Sequence, residues 1–161
     1  MQLYKNVFGM EFSHKSALML AFLAVFPNVL GMIVLDTGLG FKFHLFQILI
    51  FLAAMMYGKW GGALSGAFGS VYTAIALGNP YIIIGNIMLG FFTGIFAKRA
   101  HIALAVLGAF AIQAPWLYYT DLLAGMPEPA VRGVIVALLF SNIAWAFVAG
   151  KAYKRLKKLI Q

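Results

Sequence analysis

The sequence predicts an all-α integral membrane protein with six transmembrane helices and both termini in the cytoplasm. Two observations lead to this prediction: the composition and the placement of the charges. Of the 161 residues, 63% are hydrophobic and 10% are charged, and the mean hydropathy is +0.93. Soluble proteins are about 25% charged, and a chain this short cannot bury so much apolar surface in one aqueous core. Lipid is therefore the expected solvent.

Six apolar runs follow one another along the chain. A helix needs about 20 residues, each rising 1.5 Å, to cross a hydrocarbon core of about 30 Å. Glycine, proline and charged residues separate the runs, as expected for the connections between helices. The expected spans, which form a single transmembrane domain, are residues 16–35, 43–57, 61–77, 80–97, 101–123 and 129–150.

The basic residues predict the orientation, because Lys and Arg accumulate in cytoplasmic loops. With the N-terminus inside, ten of them are cytoplasmic, and only Lys42 and Arg132 lie outside. We therefore expect a multi-pass protein of the plasma membrane. The basic tail from Lys151 would continue the sixth helix along the anionic inner leaflet. Nucleic acid is excluded as a partner because the basic residues lie between apolar runs and form no stripe.

Two local features complete the expected fold. Leu3, Tyr4, Val7 and Phe8 recur at helical spacing, which predicts a short helix lying in the membrane interface. Prolines inside the first and fifth spans, at positions 27 and 115, are expected to kink their helices.

The polar residues are concentrated in the outer half and the middle of the predicted spans. A polar side chain at membrane depth is costly unless it faces the bundle interior or a cavity. We therefore expect a polar, aromatic-lined cup that opens to the outside, above an apolar inner half. The candidate substrate-binding residues are His44, Gln47, Tyr72, Asn86, Gln113, Trp116, Tyr119, Arg132 and Asn142.

Within this cup, a flat organic ligand could stack on Trp116 or Tyr119 while amide side chains satisfy its hydrogen bonds. An aromatic belt at the bilayer interface is the alternative explanation for the rings. Arg132 could bind a carboxylate or phosphate, or could instead pair with Asp121 or Glu128. Enzyme chemistry is not expected, since no span holds paired acids and no P-loop or metal-binding motif is present. We predict no catalytic residues, cofactor or metal.

The loop after the first span is expected to form a mobile lid over the cup. It runs from Asp36 to Lys42, with glycine at Gly38 and Gly40.

Small residues at four-residue spacing let helix backbones approach closely in lipid. Such strips occur in the third and fourth spans, where packing inside the bundle explains them. The strip in the first span, Ala17, Ala21 and Ala24, is the best candidate for a surface that docks on another protein.

Together these patterns resemble the substrate-binding S components of energy-coupling factor (ECF) transporters over nearly the whole chain. The segments that carry the resemblance are Ala17-x-x-x-Ala21, Gly61-Gly-Ala-Leu-Ser-Gly66, Gly78-Asn-Pro-Tyr81, Leu89-Gly-Phe-Phe-Thr-Gly94 and Lys98-Arg99.

The resemblance implies a subunit that captures a vitamin or similar micronutrient from outside and docks on a transmembrane coupling protein carrying two ATPases. Ala17 and Ala21 would contact the coupling protein, and the lid would close over the cargo. Cobalt and nickel members begin with Met-His, whereas this chain begins Met1-Gln2, so an organic cargo is expected. Two alternatives remain: a structural or assembly membrane protein, such as a morphogenetic scaffold, and a small channel or facilitator.

Overall fold

The computed structural model describes residues 4–7, 10–36 and 42–160, with side chains placed for 13–33 and 44–158. The described chain is a bundle of helices with two short pairs of antiparallel strands. In chain order the elements are β1 (Tyr4–Val7), β2 (Met10–Phe12), α1 (His14–Val25), α2 (Pro27–Gly31), β3 (Val34–Asp36), β4 (Lys42–His44), α3 (Gln47–Gly69), α4 (Val71–Ala76), α5 (Tyr81–Phe96), α6 (Ile102–Leu123) and α7 (Glu128–Ile160).

Four helical segments are long and apolar enough to cross a membrane. They are His14–Gly31, Gln47–Ala76, Ile102–Leu123 and Glu128–Lys158. The helix Tyr81–Phe96 is apolar but shorter. The chain is therefore a multi-pass, all-α membrane protein, and the predicted fold class is confirmed at this level.

The chain reverses direction inside α3 at Gly58, whose backbone is not helical (φ 68°, ψ −158°). A Cβ atom built on Gly61 would lie 3.0 Å from the carbonyl oxygen of Ala53, and one on Gly62 would lie 2.9 Å from the Cβ of Ala54. In a straight helix, residues eight positions apart are about 12 Å apart. The two halves of α3, residues 47–57 and 59–69, therefore lie side by side. A left-handed φ favours glycine at this turn.

The second half of α3 packs backbone to backbone against α5. A Cβ on Gly66 would overlap the carbonyl oxygen of Asn86, and Gly62 and Gly90 meet in the same way. One helix turn further along, a Cβ on Gly94 would lie 2.5 Å from the backbone nitrogen of Lys59. These contacts run in antiparallel register, and only glycine permits so close an approach.

Hydrogen bonds also connect the second half of α3, and α4 after it, to the helices α1 and α2. Ser65 Oγ donates to the carbonyl oxygen of Leu23 (2.6 Å). Asn28 Nδ2 donates to the carbonyl oxygen of Phe68 (2.8 Å), and Asn28 Oδ1 accepts from the Tyr72 N–H (2.8 Å). The helix ends at Val25 and restarts at Pro27, so it is interrupted at the proline where we predicted a kink. By contrast, α6 runs as one helix through its own proline at position 115.

The bundle has two chemically different ends. At the end that we call the basic end, Tyr57 Oη donates to the carbonyl oxygen of Ser16 (2.9 Å), and Gly58 lies beside Lys98. At the opposite end, the hairpin end, α2 packs against α4 and the β3–β4 pair adjoins α7. The helix α7 extends to Ile160, so the predicted continuation of the last helix through the basic tail is confirmed.

The helix predicted near the N-terminus is wrong. Residues Tyr4–Val7 and Met10–Phe12 form antiparallel strands, with Tyr4 opposite Phe12 and Val7 opposite Met10. Glycine at position 9 disfavours a helix by about 1 kcal/mol relative to alanine, whereas aromatic and β-branched residues favour strands. Leu3 and Phe8 lie outside the described residues.

The predicted limits of the first two spans are also wrong by several residues. The first helical segment ends at Gly31 instead of residue 35, and α3 begins at Gln47 instead of residue 43. Between them Val34–Asp36 pairs with Lys42–His44, and Asp36 lies opposite Lys42. The predicted lid is thus the end of a strand pair; Gly38 and Gly40 lie outside the described residues.

Candidate functional site

A cavity of about 680 Å³ opens at the hairpin end of the bundle. Its walls come from β4, the start of α3, the turn between α4 and α5, the end of α6 and the start of α7. Pockets for small organic ligands commonly measure about 300–1,000 Å³. Apolar side chains dominate the walls, and the polar residues among them are His44, Gln47, Thr73, Asn79, Asn86, Gln113 and Asp121.

Three residues that line this cavity each carry a buried side-chain oxygen without a hydrogen-bond partner among the described residues. Gln47 and Gln113 are each 3% exposed and Thr73 is 6% exposed. Gln47 Oε1, Thr73 Oγ1 and Gln113 Oε1 find no partner within the described part of the chain. A buried polar group without a partner costs about 1–3 kcal/mol, and most such groups in proteins are satisfied. These oxygens have almost no accessible surface, so a bound molecule with N–H or O–H groups would satisfy them once the side chains turn toward the cavity.

A hydrogen-bonded pair closes one side of the cavity. Asn79 Nδ2 donates to Asp121 Oδ1 (2.7 Å), and Asn79 Oδ1 accepts from the Tyr81 N–H (3.1 Å). Both side chains are buried, at 4% and 5% exposure. The pair ties the turn before α5 to the end of α6, and it places a carboxylate in the cavity wall, where an acid is costly unless it is bonded.

Four of the candidate binding residues line the cavity: His44, Gln47, Asn86 and Gln113. Asn86 is 4% exposed, and its Nδ2 donates to the carbonyl oxygen of Ile82 in the preceding turn (3.1 Å). The predicted convergence of the amides from the second, fourth and fifth spans is therefore present for these residues.

The aromatic candidates lie outside the cavity. Trp116 Nε1 donates to the carbonyl oxygen of Tyr81 (3.1 Å), and the two rings meet edge to face at 6.3 Å. Tyr119 is 66% exposed and its ring meets that of Tyr118. Neither ring is placed to stack on a ligand in this cavity. Trp116 is occupied in holding α6 against α5, and Tyr119 faces the surroundings of the bundle.

The remaining candidates also lie elsewhere. Arg132 forms an ion pair with Glu128 (2.6 Å), which also accepts a hydrogen bond from Tyr118 Oη (2.7 Å). This is one of the alternatives left open by the sequence. Tyr72 is 37% exposed, and Asn142 is 1% exposed with neither amide atom bonded to a described residue. Neither of them lines the cavity.

The cavity contains residues that we did not predict as binding residues: Thr73, Asn79 and Asp121. A signal for two of them was present in the sequence. Asn79 stands in a Gly-Asn-Pro turn, and Asp121 is an acid within an apolar run. An acid at that depth is a candidate for function by default.

Comparisons of the chain with protein-family models, with curated proteins and with solved structures find no match. The function must therefore be inferred from the geometry of this chain.

Tightly packed side chains separate this cavity from the basic end. On α3, α5 and α6 the residues between the two ends include Phe51, Leu89 and Val106, each 0% exposed. On α7 the corresponding position is Ala146, which is also 0% exposed. The cavity is therefore closed at its inner side by two or more turns of buried residues.

The small-residue strip of α1 is divided between two environments. Ala17 and Ala21 are exposed, next to Leu18, which is 72% exposed. Ala24 is 8% exposed, and its carbonyl oxygen lies against Gly69. The exposed face of α1 thus holds two of the three alanines that we expected to dock on a partner.

Proposed function

We propose that the chain crosses the membrane six times, with both ends in the cytoplasm. The reversal at Gly58 supports this, because it divides the segment Gln47–Ala76 into two antiparallel halves. Basic residues gather at one end, where Lys59, Lys98 and Lys151 are found, and the positive-inside rule assigns that end to the cytoplasm.

We further propose that the protein is the substrate-binding subunit of an ATP-driven importer for a micronutrient, which captures a small organic molecule from outside. The observation that supports this best is the cavity at the hairpin end with its three buried, unpartnered acceptors. A protein with a purely structural role would gain nothing from leaving Gln47, Thr73 and Gln113 unpaired, since each such group destabilises the fold.

The wall chemistry indicates the class of cargo. The described lining holds amide, hydroxyl and imidazole groups, which donate as well as accept, with three unpartnered oxygens and one carboxylate, that of Asp121, but neither lysine nor arginine. Such a surface favours an uncharged or cationic molecule that carries several N–H or O–H donors, such as a protonated amine or an aminopyrimidine. It disfavours carboxylates and phosphates, because like charge next to a buried acid is costly.

The buried inner side disfavours an open channel, because Phe51, Leu89 and Val106 are fully buried in one core cluster of the described residues, between the two ends. Release into the cell would then require a partner that changes the conformation. The exposed strip at Ala17 and Ala21 is a suitable docking surface for a transmembrane coupling protein, since small residues permit close helix contact. Two ATPase subunits bound to that protein would supply the energy.

A ligand screen tests this proposal directly. A ligand that binds only the folded state stabilises it by RT ln(1 + [L]/Kd), which is about 2.7 kcal/mol at 100 times Kd. Purified protein should therefore melt at a visibly higher temperature with at least one donor-rich cationic or neutral compound from a micronutrient panel. Acidic members of the panel serve as the matched negative set. If no compound raises the melting temperature, and mass spectrometry finds no co-purified molecule, the proposal is wrong.

Cysteine labelling tests the six passes. The chain has no cysteine, so Leu77→Cys, Ala124→Cys and Ala100→Cys each introduce a single reporter at an exposed position. In intact cells, a membrane-impermeant maleimide should label the first two variants and leave Ala100→Cys unlabelled until the cells are opened. Protection of Leu77→Cys in intact cells would mean that Gln47–Ala76 crosses only once.

A tryptophan on the exposed strip tests docking. We expect Ala21→Trp to abolish uptake in cells while leaving ligand affinity in detergent within twofold of wild type, because the bulky ring blocks close helix approach. The matched control is Leu104→Trp, which changes an exposed residue of α6 (64% exposed) and should permit uptake. Normal uptake by Ala21→Trp would show that the strip is not part of the docking surface.

A further inference from the structure

A second cavity, of about 660 Å³, lies at the basic end. Its rim carries Lys98, His101, Lys151 and Lys154 from the α5–α6 turn and from α7, and no acidic residue appears among its described lining. Among the described side chains, the one ion pair joins Arg132 and Glu128, and it lies at the opposite end of the bundle. The basic side chains of this rim therefore face one another without a described countercharge.

The floor of this second cavity is apolar. It includes Met55 from α3, Ala97 directly after α5, Ile102 from α6 and Phe147 from α7. Phe147 is 52% exposed, so the apolar floor continues onto the outer, lipid-facing surface of the bundle. A cavity with a cationic rim and an apolar floor that opens sideways has the polarity of the boundary between headgroups and acyl chains.

The start of α6 adds to the positive potential. His101 caps this helix, with the Ala103 N–H donating to His101 Nδ1 (3.3 Å), and Ala100, His101 and Ile102 line the cavity. The N-terminus of a 22-residue helix carries a partial positive charge, because its first N–H groups lack helical partners. Three lysines and a helix terminus thus converge at one place.

From this arrangement we infer that the cavity at the basic end is a binding site for the phosphodiester headgroup of an anionic phospholipid of the inner leaflet, with an acyl chain along Ile102 and Phe147. Basic pockets between transmembrane helices on the cytoplasmic side are suited to anionic headgroups. The apolar floor distinguishes a lipid from a free anion, and the sideways opening distinguishes it from an acidic segment of a soluble protein. This inference does not depend on the cargo site.

Fluorescent phosphatidylglycerol, titrated onto the full chain in phosphatidylcholine nanodiscs, tests the inference. Wild type should bind it saturably at one site, and the double variant Lys98→Gln/Lys154→Gln should raise its Kd at least tenfold. The matched control, Lys157→Gln/Lys158→Gln, removes the same number of charges from the same end of the protein but lies outside the cavity lining. It should change the Kd less than twofold.

Three results would overturn the inference. Equal loss of binding in both double variants would indicate diffuse attraction to the tail. Full competition by inorganic phosphate at matched concentration would indicate a general anion site. Absence of saturable phosphatidylglycerol binding to wild type would show that the cavity is not a lipid site and would favour another partner, such as an acidic protein segment. Gel filtration in detergent before the titration excludes misfolded variants.

Discussion

Replacing Gly66 by alanine should strongly destabilise the bundle. The new Cβ would overlap the carbonyl oxygen of Asn86, which is backbone and cannot move without shifting α5. Overpacking of this kind costs about 1–3 kcal/mol. For a chain of this length, each kcal/mol shifts the melting temperature by about 2–4 °C, so we expect a fall of roughly 2–12 °C in detergent. Because Asn86 lines the cavity, ligand affinity should fall as well.

The matched control is Gly108→Ala, the same change inside α6. There the new Cβ would meet only the ring of Phe96, at 3.2 Å, and a side chain can rotate away. Since alanine favours a helix over glycine by about 1 kcal/mol, this variant should melt at or above the temperature of wild type. If Gly66→Ala melts at as high a temperature as Gly108→Ala, then the backbones of α3 and α5 do not approach each other as closely as described.

The double variant Gln47→Leu/Gln113→Leu should bind cargo much more weakly and yet be at least as stable as wild type without ligand. Both amide oxygens are buried and unpartnered, so removing them relieves a penalty of about 1–3 kcal/mol each. The cargo loses two hydrogen bonds by the same change. At 1.4 kcal/mol per factor of ten, we expect Kd to rise by roughly 10²-fold or more. Calorimetry measures the affinity, and thermal unfolding measures the stability.

Asn142→Leu provides the control for this pair. Asn142 is buried with an unpartnered amide, like the two glutamines, but it lies outside the cavity lining. The variant should therefore be stabilised without losing affinity. Strong loss of binding in Asn142→Leu together with normal binding in the double variant would move the cargo site to the middle of the bundle.

Much of the fold could be predicted because lipid imposes simple rules on a sequence. The break at Gly58, the start of α5 near Pro80 and the limits of α6 follow from glycine, proline and charge between apolar runs. These signals are local, so they require no knowledge of tertiary contacts. The strands at Tyr4–Val7 and Val34–Asp36 could not be predicted in this way, because each is stabilised by its pairing with a second strand.

The position of the cavity along the helices could be predicted, but the full set of residues that line it could not. Depth in the membrane follows from position along a span, and Gln47, Asn86 and Gln113, which we placed in the outer half or the middle of their spans, line one cavity. The rotation of each helix about its axis depends on packing, and packing turned Trp116 toward Tyr81 instead of the cavity. The pairing of Asn79 with Asp121 joins residues 42 positions apart, and no spacing rule connects them.

Sidedness of binding in oriented membrane vesicles tests the central claim, that the cavity at the hairpin end takes up a small organic molecule from outside. The radiolabelled probe is the panel compound that stabilises the purified protein most. Right-side-out vesicles should bind it with the affinity measured in detergent, and sealed inside-out vesicles should bind it only after they are opened. Gln47→Leu/Gln113→Leu should weaken binding by roughly 10²-fold or more in both. Binding to sealed inside-out vesicles alone would contradict the account.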